Sequence, residues 1–309
     1  MDLRQLQAFL AVVEHGGFTA AARATHTVQS NISTHVARLE RELEATLIDR
    51  STGRPTEEGE AVLTRVRRIQ TELASLQADV SSLRGSPRGT VRLGIIGTTA
   101  RWLTPILAET MAEELPDIHL VVAEGTTRAL ELRLLDGELD IGLVGLPVED
   151  AEIRTTALFD EDHVVVGPVD HPLAKLEGPV DLAEVAKHKL LLAAPGTPFR
   201  QEVDETFRSR GLRVQSKLDV DGLRLLASLA FQGFGVAIVP ATAAPGWVGG
   251  PWTRIQVEGL SRRTVGLAAR RRGMPTVAAQ ATVNVLRDVV ARHAPEVPGL
   301  HVAGAGNTS

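Results

Sequence analysis

The chain has 309 residues, 43% hydrophobic and 23% charged, enough for two or three domains with separate cores and typical of a soluble globular protein. It contains no cysteine, which excludes disulfides, cysteine-ligated zinc and a thiol nucleophile. The formal charge is −5: residues 1–90 balance at eleven basic and eleven acidic, and residues 91–309 carry 22 against 27, so bulk charge gives no positive sign of a nucleic-acid partner.

The N-terminus, MDLRQLQAFL, lacks a cationic start followed by an apolar core, so no signal peptide is expected. The most apolar stretch, Leu225 to Val239, is broken by Gln232, Gly233 and Gly235 and is too short to span a bilayer, so the expected location is the cytoplasm. Leu3, Leu6, Phe9, Leu10 and Val13 predict a first amphipathic helix with Asp2 as N-cap, ended by Gly16-Gly17. Thr19 is the expected cap of a short second helix reaching about Ala24, and Thr27 that of a third. In the third, Ile32, Val36, Leu39 and Leu43 fall at i, i+4, i+7 and i+11, one face of a 3.6-residue period. Gln29, Ser30, Ser33, Thr34 and Arg38 lie largely off that stripe. Such a helix suits the DNA major groove, where Gln engages adenine and Arg engages guanine or phosphate, and the pair of short helices has the spacing of a helix-turn-helix. Residues 46–56, TLIDRSTGRPT, read as a small β-wing or loop.

Thr56 followed by Glu57 and Glu58 is a favourable helix start, with carboxylates at the positive end of the dipole. In the helix that follows, Val66, Ile69, Leu73, Leu76, Val80 and Leu83 are spaced 3, 4, 3, 4, 3, a heptad seam that predicts dimerisation; packing on its own domain is the alternative. Arg84 to Gly89 cannot continue a helix and reads as a hinge. Strands then alternate with helices: strands at 91–97, 118–125 and 140–145, with helices from Trp102 to Leu115 and Arg128 to Leu135. A second set follows at 162–168, 189–196, a helix over 200–210, 214–220, a helix over 222–230, and 235–240, and the chain closes with TVGLAARR and a helix from Val277 to His293. Alternation of this kind implies βαβ units and a mainly parallel sheet covered on both sides.

The order of winged helix-turn-helix, long helix, hinge and two α/β lobes resembles the LysR-type transcriptional regulators over essentially the whole chain. The resemblance rests on Leu3, Leu6, Phe9 and Glu14-His15-Gly16; Phe18 to Ala22; Val28 to Ser33; Leu39 to Leu43; Leu47 and Arg50; Thr56 to Gly59; GELDIGLV at 137–144; and FQGFGVAIVP at 231–240. The chain departs from the family's pattern at Val28, Ala45, Ile48 and Pro55, around the start of the third helix and the wing. The family implies that Gln29, Ser30 and Asn31 sit at the groove end of the reading helix. It implies too that Ser33, Thr34 and Arg38 contact bases or phosphates and that Arg50 and Arg54 lie by the wing. The first-turn amides and Thr27 can also meet a phosphate. Two heads on a dimer would read an inverted repeat in double-stranded DNA, and the family implies a dimer or a homotetramer.

The resemblance divides the chain into a DNA-binding domain at 1–58, a dimerisation helix at 59–84 and a hinge at 85–90. One effector lobe then spans 91–164 and 266–294, a second spans 165–265, and a flexible tail covers 295–309. The two lobes resemble periplasmic binding proteins, whose ligands sit beyond the carboxyl ends of strands. Here those ends hold Thr98, Thr99, Thr126, Thr127, Gly145, Leu146, Pro195, Gly196 and Thr197, with Phe199, Asp221 and Gly235 expected nearby. Hydroxyl residues at helix starts suit an anionic small-molecule effector, and N-caps without a ligand are the alternative. No GxSxG, HExxH or P-loop spacing occurs, so no catalytic residue, metal or cofactor is expected. Asp160-Glu161-Asp162 reads as a solvated run, and His163, His171 and His188 as surface or structural histidines. The competing function is a cytoplasmic small-molecule-binding protein with a fused dimerisation module and no specific DNA binding.

Overall fold

The computed structural model describes residues 1–82 and 85–303. Two compact units make up the chain: residues 1–81 with the short segment 135–138, and the remainder.

In the first unit α1 (Leu3–His15) opens with a capping box, in which the Asp2 side chain accepts from Gln5 N and the Gln5 side chain accepts from Asp2 N. It ends at Gly16 in the left-handed region. The second helix, α2 (Phe18–Ala24), starts directly after Gly17 with no side-chain cap, so Thr19 lies inside the helix rather than at its cap. α3 (Gln29–Glu42) has Val28 at its N-cap position, and Thr27, expected to cap it, accepts instead from Asn31 Nδ2 at 3.1 Å. The long helix α4 (Glu57–Ser82) closes the unit. Phe9 and Val12 of α1, Ala21, Val36 and Leu39, Leu47 and Ile48, and Leu63 and Val66 of α4 form one core. Leu43 ends outside this core, half-exposed at the end of α3, so the buried stripe stops at Leu39.

The wing is a single bridge between Ile48 and Pro55, closed by Asp49 N donating to Arg54 O at 2.9 Å. Glu40 of α3 anchors it, since its Oε1 accepts from Leu47 N at 2.9 Å and Ile48 N at 3.3 Å. Thr56 caps α4 by accepting from Gly59 N and donates to Thr46 O. Helix and wing meet so closely at Gly59 that a Cβ there would lie 2.1 Å from the Leu47 carbonyl oxygen.

In the second unit β1 (Gly89–Ile96), β2 (Ile118–Gly125) and β3 (Ile141–Leu146) are parallel, with α5 (Gly97–Glu114) and α6 (Thr127–Asp136) as crossovers. β4 (Ile153–Pro168) is much longer than the strand expected at 162–168. After α7 (Leu182–Val185), β5 (Lys189–Ala193), α8 (Pro198–Arg208), β6 (Gln215–Val220), α9 (Leu223–Phe231), β7 (Ala237–Pro240) and β8 (Trp252–Ile255) build the other lobe. β9 (Arg262–Arg270), α10 (Val277–His293) and β10 (Leu300–Val302) then return to the first.

The sheet order is β2-β1-β3-β9-β4-β7-β5-β6. β4 is shared: residues 153–162 pair antiparallel with β9, and 163–168 pair with β7 and β8. The lobes therefore change over at Asp162/His163 and at Ser261/Arg262, not at 164/165 and 265/266 as expected, because the hydrogen-bond ladder and not the apolar pattern decides which sheet a crossing residue joins. The tail expected at 295–309 is also corrected as far as 303, since Leu300, His301 and Val302 pair with Glu161, Asp160 and Phe159 of β4; residues 304–309 lie outside the described residues. α5 begins five residues earlier than expected, at Gly97, with Pro105 inside it.

Gly59→Ala should destabilise the first unit by about 3 kcal/mol, at the upper end of overpacking costs because backbone rather than a side chain blocks the new methyl. Denaturant unfolding of the intact chain, followed on a signal from this unit, would measure it.

Candidate functional site

The residues expected to read DNA lie on the N-terminal half of α3. Gln29, Ser30, Asn31, Thr34 and Arg38 are exposed, and Thr27 and Ser33 are half-buried beside them. Thr34 Oγ1 donates to Ser30 O, leaving the hydroxyl oxygen free to accept from outside. Because Val28 has no side-chain oxygen, the first-turn amides of α3 have no side-chain cap, and Val28 itself is 65% exposed. Val28, which departs from the family's pattern, is an apolar residue where an N-cap oxygen is preferred, and Thr27 does not take over the cap expected of it. An open amide turn can take a phosphate, and an exposed Val beside Gln29 can take a thymine methyl.

Arg50 reaches this surface from the wing. Its guanidinium donates to Ser33 Oγ at 3.4 Å, pairs with Glu40 Oε2 at 3.2 Å and lies 5.2 Å from the Phe18 ring centroid. Arg50 is thus tied internally and still half-exposed, whereas Arg54 stands exposed at the wing tip.

The heptad seam divides. Val66 is buried and Ile69 half-buried in the core of the first unit, so Val66 is unavailable to a partner and the dimerisation expected of it is withdrawn. Leu73, Leu76 and Val80 are 37%, 63% and 48% exposed, large apolar side chains on one helix face. Leu83 lies outside the described residues.

In the second unit the expected effector residues fall into three groups. Thr126 and Thr197 are N-caps, accepting from Ala129 N and Arg200 N at 3.3 Å each, and Thr127 Oγ1 accepts from Gly145 N at 3.0 Å, tying the start of α6 to the end of β3. Leu146 and Gly235 are half-buried, and Pro195, Gly196 and Asp221 are exposed. Thr98 and Thr99, by contrast, are turned inward: Thr98 Oγ1 accepts from Arg263 Nη2 at 2.7 Å, and the buried Thr99 hydroxyl has no hydrogen-bond partner among the described residues. Phe199 is also corrected. It belongs to the core of the second lobe, edge-on to His163 at 4.7 Å, because its helix turns that face onto the sheet. A cavity of about 510 Å³ lies at the strand crossover, lined by Asp162, His163, Arg254 and Arg262 among others, and none of the expected effector residues lines it.

The run Asp160-Glu161-Asp162 is not solvated as a whole. Glu161 is fully buried, pairs with Arg263 at 2.6 Å and accepts from Thr242 N. Alternation along β4 sends the middle residue inward. His163, next in line, is buried with Nδ1 3.0 Å from Ser261 Oγ and Nε2 3.4 Å from Glu202 Oε2. Burial, aided by the Arg263 charge and opposed by Asp162, lowers the His163 pKa to about 4, and burial raises that of Glu202. Among the described residues no group of three or more His, Asp or Glu is placed to hold a metal, and no helix is long and apolar enough to cross a membrane.

Two families match the chain: the bacterial regulatory helix-turn-helix protein, lysR family, at residues 3–60, and the LysR substrate binding domain at residues 84–291. The nitrogen assimilation regulatory protein nac of Klebsiella aerogenes is 31% identical over 298 residues, 94% of this chain and 96% of that protein. A probable hydrogen peroxide-inducible genes activator of Mycobacterium leprae is 33% identical over 78% of each chain. Among solved structures, full-length OxyR from Pseudomonas aeruginosa superposes with a TM-score of 0.71 at 25% identity over 94% of each chain. CbnR complexed with its target DNA gives 0.70 at 24% identity, over 94% of this chain and 99% of that one, a likeness of fold.

Two outcomes test this geometry. Val28→Ser should stabilise the first unit by about 1 kcal/mol by supplying the missing cap, read as a raised unfolding midpoint. His163 binds a proton in the unfolded chain below its ordinary 6.5 but in the folded chain only below about 4. Stability should therefore fall as pH drops from 6.5 to 4, by about 3 kcal/mol more than in His163→Gln, while Glu202, raised in the fold, pulls weakly the other way in both proteins. Parallel stability–pH curves for the two proteins would contradict the burial of this ring.

Proposed function

The chain belongs to the LysR family of transcriptional regulators, with a DNA-binding helix-turn-helix and an effector-binding α/β domain, and on that premise we propose how each part is used. α3 enters the major groove with Gln29, Ser30 and Asn31 at base edges and Thr27 at the adjoining backbone. Ser33, Thr34 and Arg38 follow along the same helix, and Arg50 and Arg54 of the wing take flanking phosphates. The observation that carries this reading is the Arg50–Ser33 contact, which holds a wing cation against the exposed side of α3.

The exposed Leu73, Leu76 and Val80 meet a second copy, so that two heads read an inverted repeat as a dimer or as half of a tetramer. The effector is a small molecule with an anionic group, bound at the carboxyl ends of β1, β2, β5 and β6 between the lobes, and its binding shifts the lobe arrangement that the DNA heads sense. Cysteine is absent, so a thiol-based response to peroxide is chemically closed to this chain whatever its relatives' names describe. The reading calls for no metal or cofactor and places the protein in the cytoplasm, with its operator.

A gel-shift series on DNA upstream of the chain's own gene tests it. Binding should prefer one sequence and weaken steeply with salt, and Gln29→Ala should cost specific binding about tenfold or more while leaving non-specific binding nearly unchanged. Equal losses on both DNAs would reduce Gln29 to a backbone contact. Salt-dependent binding without sequence preference would leave the small-molecule-binding alternative standing.

A further inference from the structure

One ion pair joins the two lobes at the strand ends. Glu124, the penultimate residue of β2, belongs to the first lobe, and Arg224, in the first turn of α9, to the second; Oε1 and Nη2 are 2.7 Å apart. They meet in front of Gly97, the first residue of α5. A Cβ on Gly97 would lie 2.7 Å from Glu124 Oε1 and 3.4 Å from Arg224 Nε. The pair therefore fills the space at an 18-residue helix's positive end and at the carboxyl end of β1, where open α/β sheets receive ligands.

The two side chains are 42% and 49% exposed. Pairs this wet are weak and screened, so a ligand can displace them. What replaces the pair is constrained by charge. A simple anion that takes Arg224 leaves the Glu124 carboxylate unpaired beside a like charge, and a simple cation that takes Glu124 strands Arg224. A ligand carrying both charges on neighbouring atoms re-pairs both residues.

We propose that Glu124 and Arg224 are the two halves of a recognition site for a zwitterionic amino acid. Arg224 and the α5 amides receive the carboxylate, and Glu124 receives the ammonium. Gly97, having no Cβ, leaves room for both side chains at the start of α5. This rests on the strand-end effector cleft above and adds the chemical class of its ligand.

The test is calorimetric titration of the full-length protein with the twenty common amino acids, and, for each that binds, with the matched acid lacking the amino group and the matched amine lacking the carboxylate. At least one amino acid should bind, and each truncated analogue should bind about tenfold more weakly or worse. Glu124→Gln should weaken the amino acid about tenfold and leave the amino-free acid unchanged or tighter; Arg224→Gln should weaken both acids. An amino-free acid binding as tightly as its amino acid, indifference to Glu124→Gln, or no amino acid binding at all overturns the proposal. Gly97→Val separates this from the cleft reading, because it fills the site. Amino-free acids whose binding Gly97→Val abolishes would keep the cleft and remove the amino-acid assignment, and binding that survives Gly97→Val lies elsewhere and removes the cleft as well.

Discussion

The Glu161 carboxylate and the Arg263 guanidinium, 0% and 9% exposed, are the constraint on which the effector domain depends. They sit where β4 leaves one sheet for the other. Around them Thr242, just after β7, donates to Glu161, and Arg263 donates onward to Thr98 at the start of α5. One buried charge pair thus ties both crossing strands, the second lobe and the start of α5. Such a pair adds little net stability over a well-packed apolar substitute, yet losing one partner costs about 3–5 kcal/mol because the other is left charged in the interior. Its effect is positional: one set of contacts links β4, β9 and the start of α5. Arg254 extends the arrangement by donating to the carbonyls of Ala241, Ala244 and Pro298, which holds the chain's last strand segment against the crossover.

Acids also organise the DNA-binding head, where they serve as hydrogen-bond acceptors. Asp2 is committed to capping α1, Glu42 to Gln5 and the N-terminal amine, Asp49 to Ser51 and Thr52 in the wing turn, and Glu40 to the wing backbone and Arg50. Hydrogen bonds from those partners hold the Asp2, Glu42 and Asp49 carboxyls below their usual range. These three acids accept hydrogen bonds within the head while staying at its surface and ionised, as Arg23, Arg38 and Arg54 are also exposed. The head therefore stays balanced in charge, and where its cations stand on the surface matters more than their number.

The helical elements of the head were legible because their signals are local. The 3.6-residue stripe of Ile32, Val36 and Leu39 fixes which face of α3 is buried and therefore which face stays exposed. Caps were less legible. Thr19 and Thr27 have the right chemistry, but the chain enters α2 from Gly17, two residues before Thr19, and α3 from Val28, one residue after Thr27, and a cap depends on backbone angles at one position. The heptad spacing of α4 was read correctly as apolar periodicity, yet Val66 packs inside its own unit and Leu76 does not, a difference set by what lies opposite each turn.

In the effector domain the alternation of strands and helices, and hence two α/β lobes, follows from sequence alone, since strand and helix periods are properties of consecutive residues. The crossover at His163, the strand at Leu300 to Val302, the burial of Glu161 and the Glu124–Arg224 pair do not. Each joins residues more than seventy positions apart, between which no local period runs, and each depends on a hydrogen-bond ladder or a charge partner that exists only once the sheet has formed. A helix-turn-helix head and a two-lobed α/β domain thus follow from consecutive residues, whose periods are local. That Glu161 is buried, that Thr98 and Thr99 turn inward and that Glu124 meets Arg224 depends on partners far along the chain, which only the folded sheet brings together.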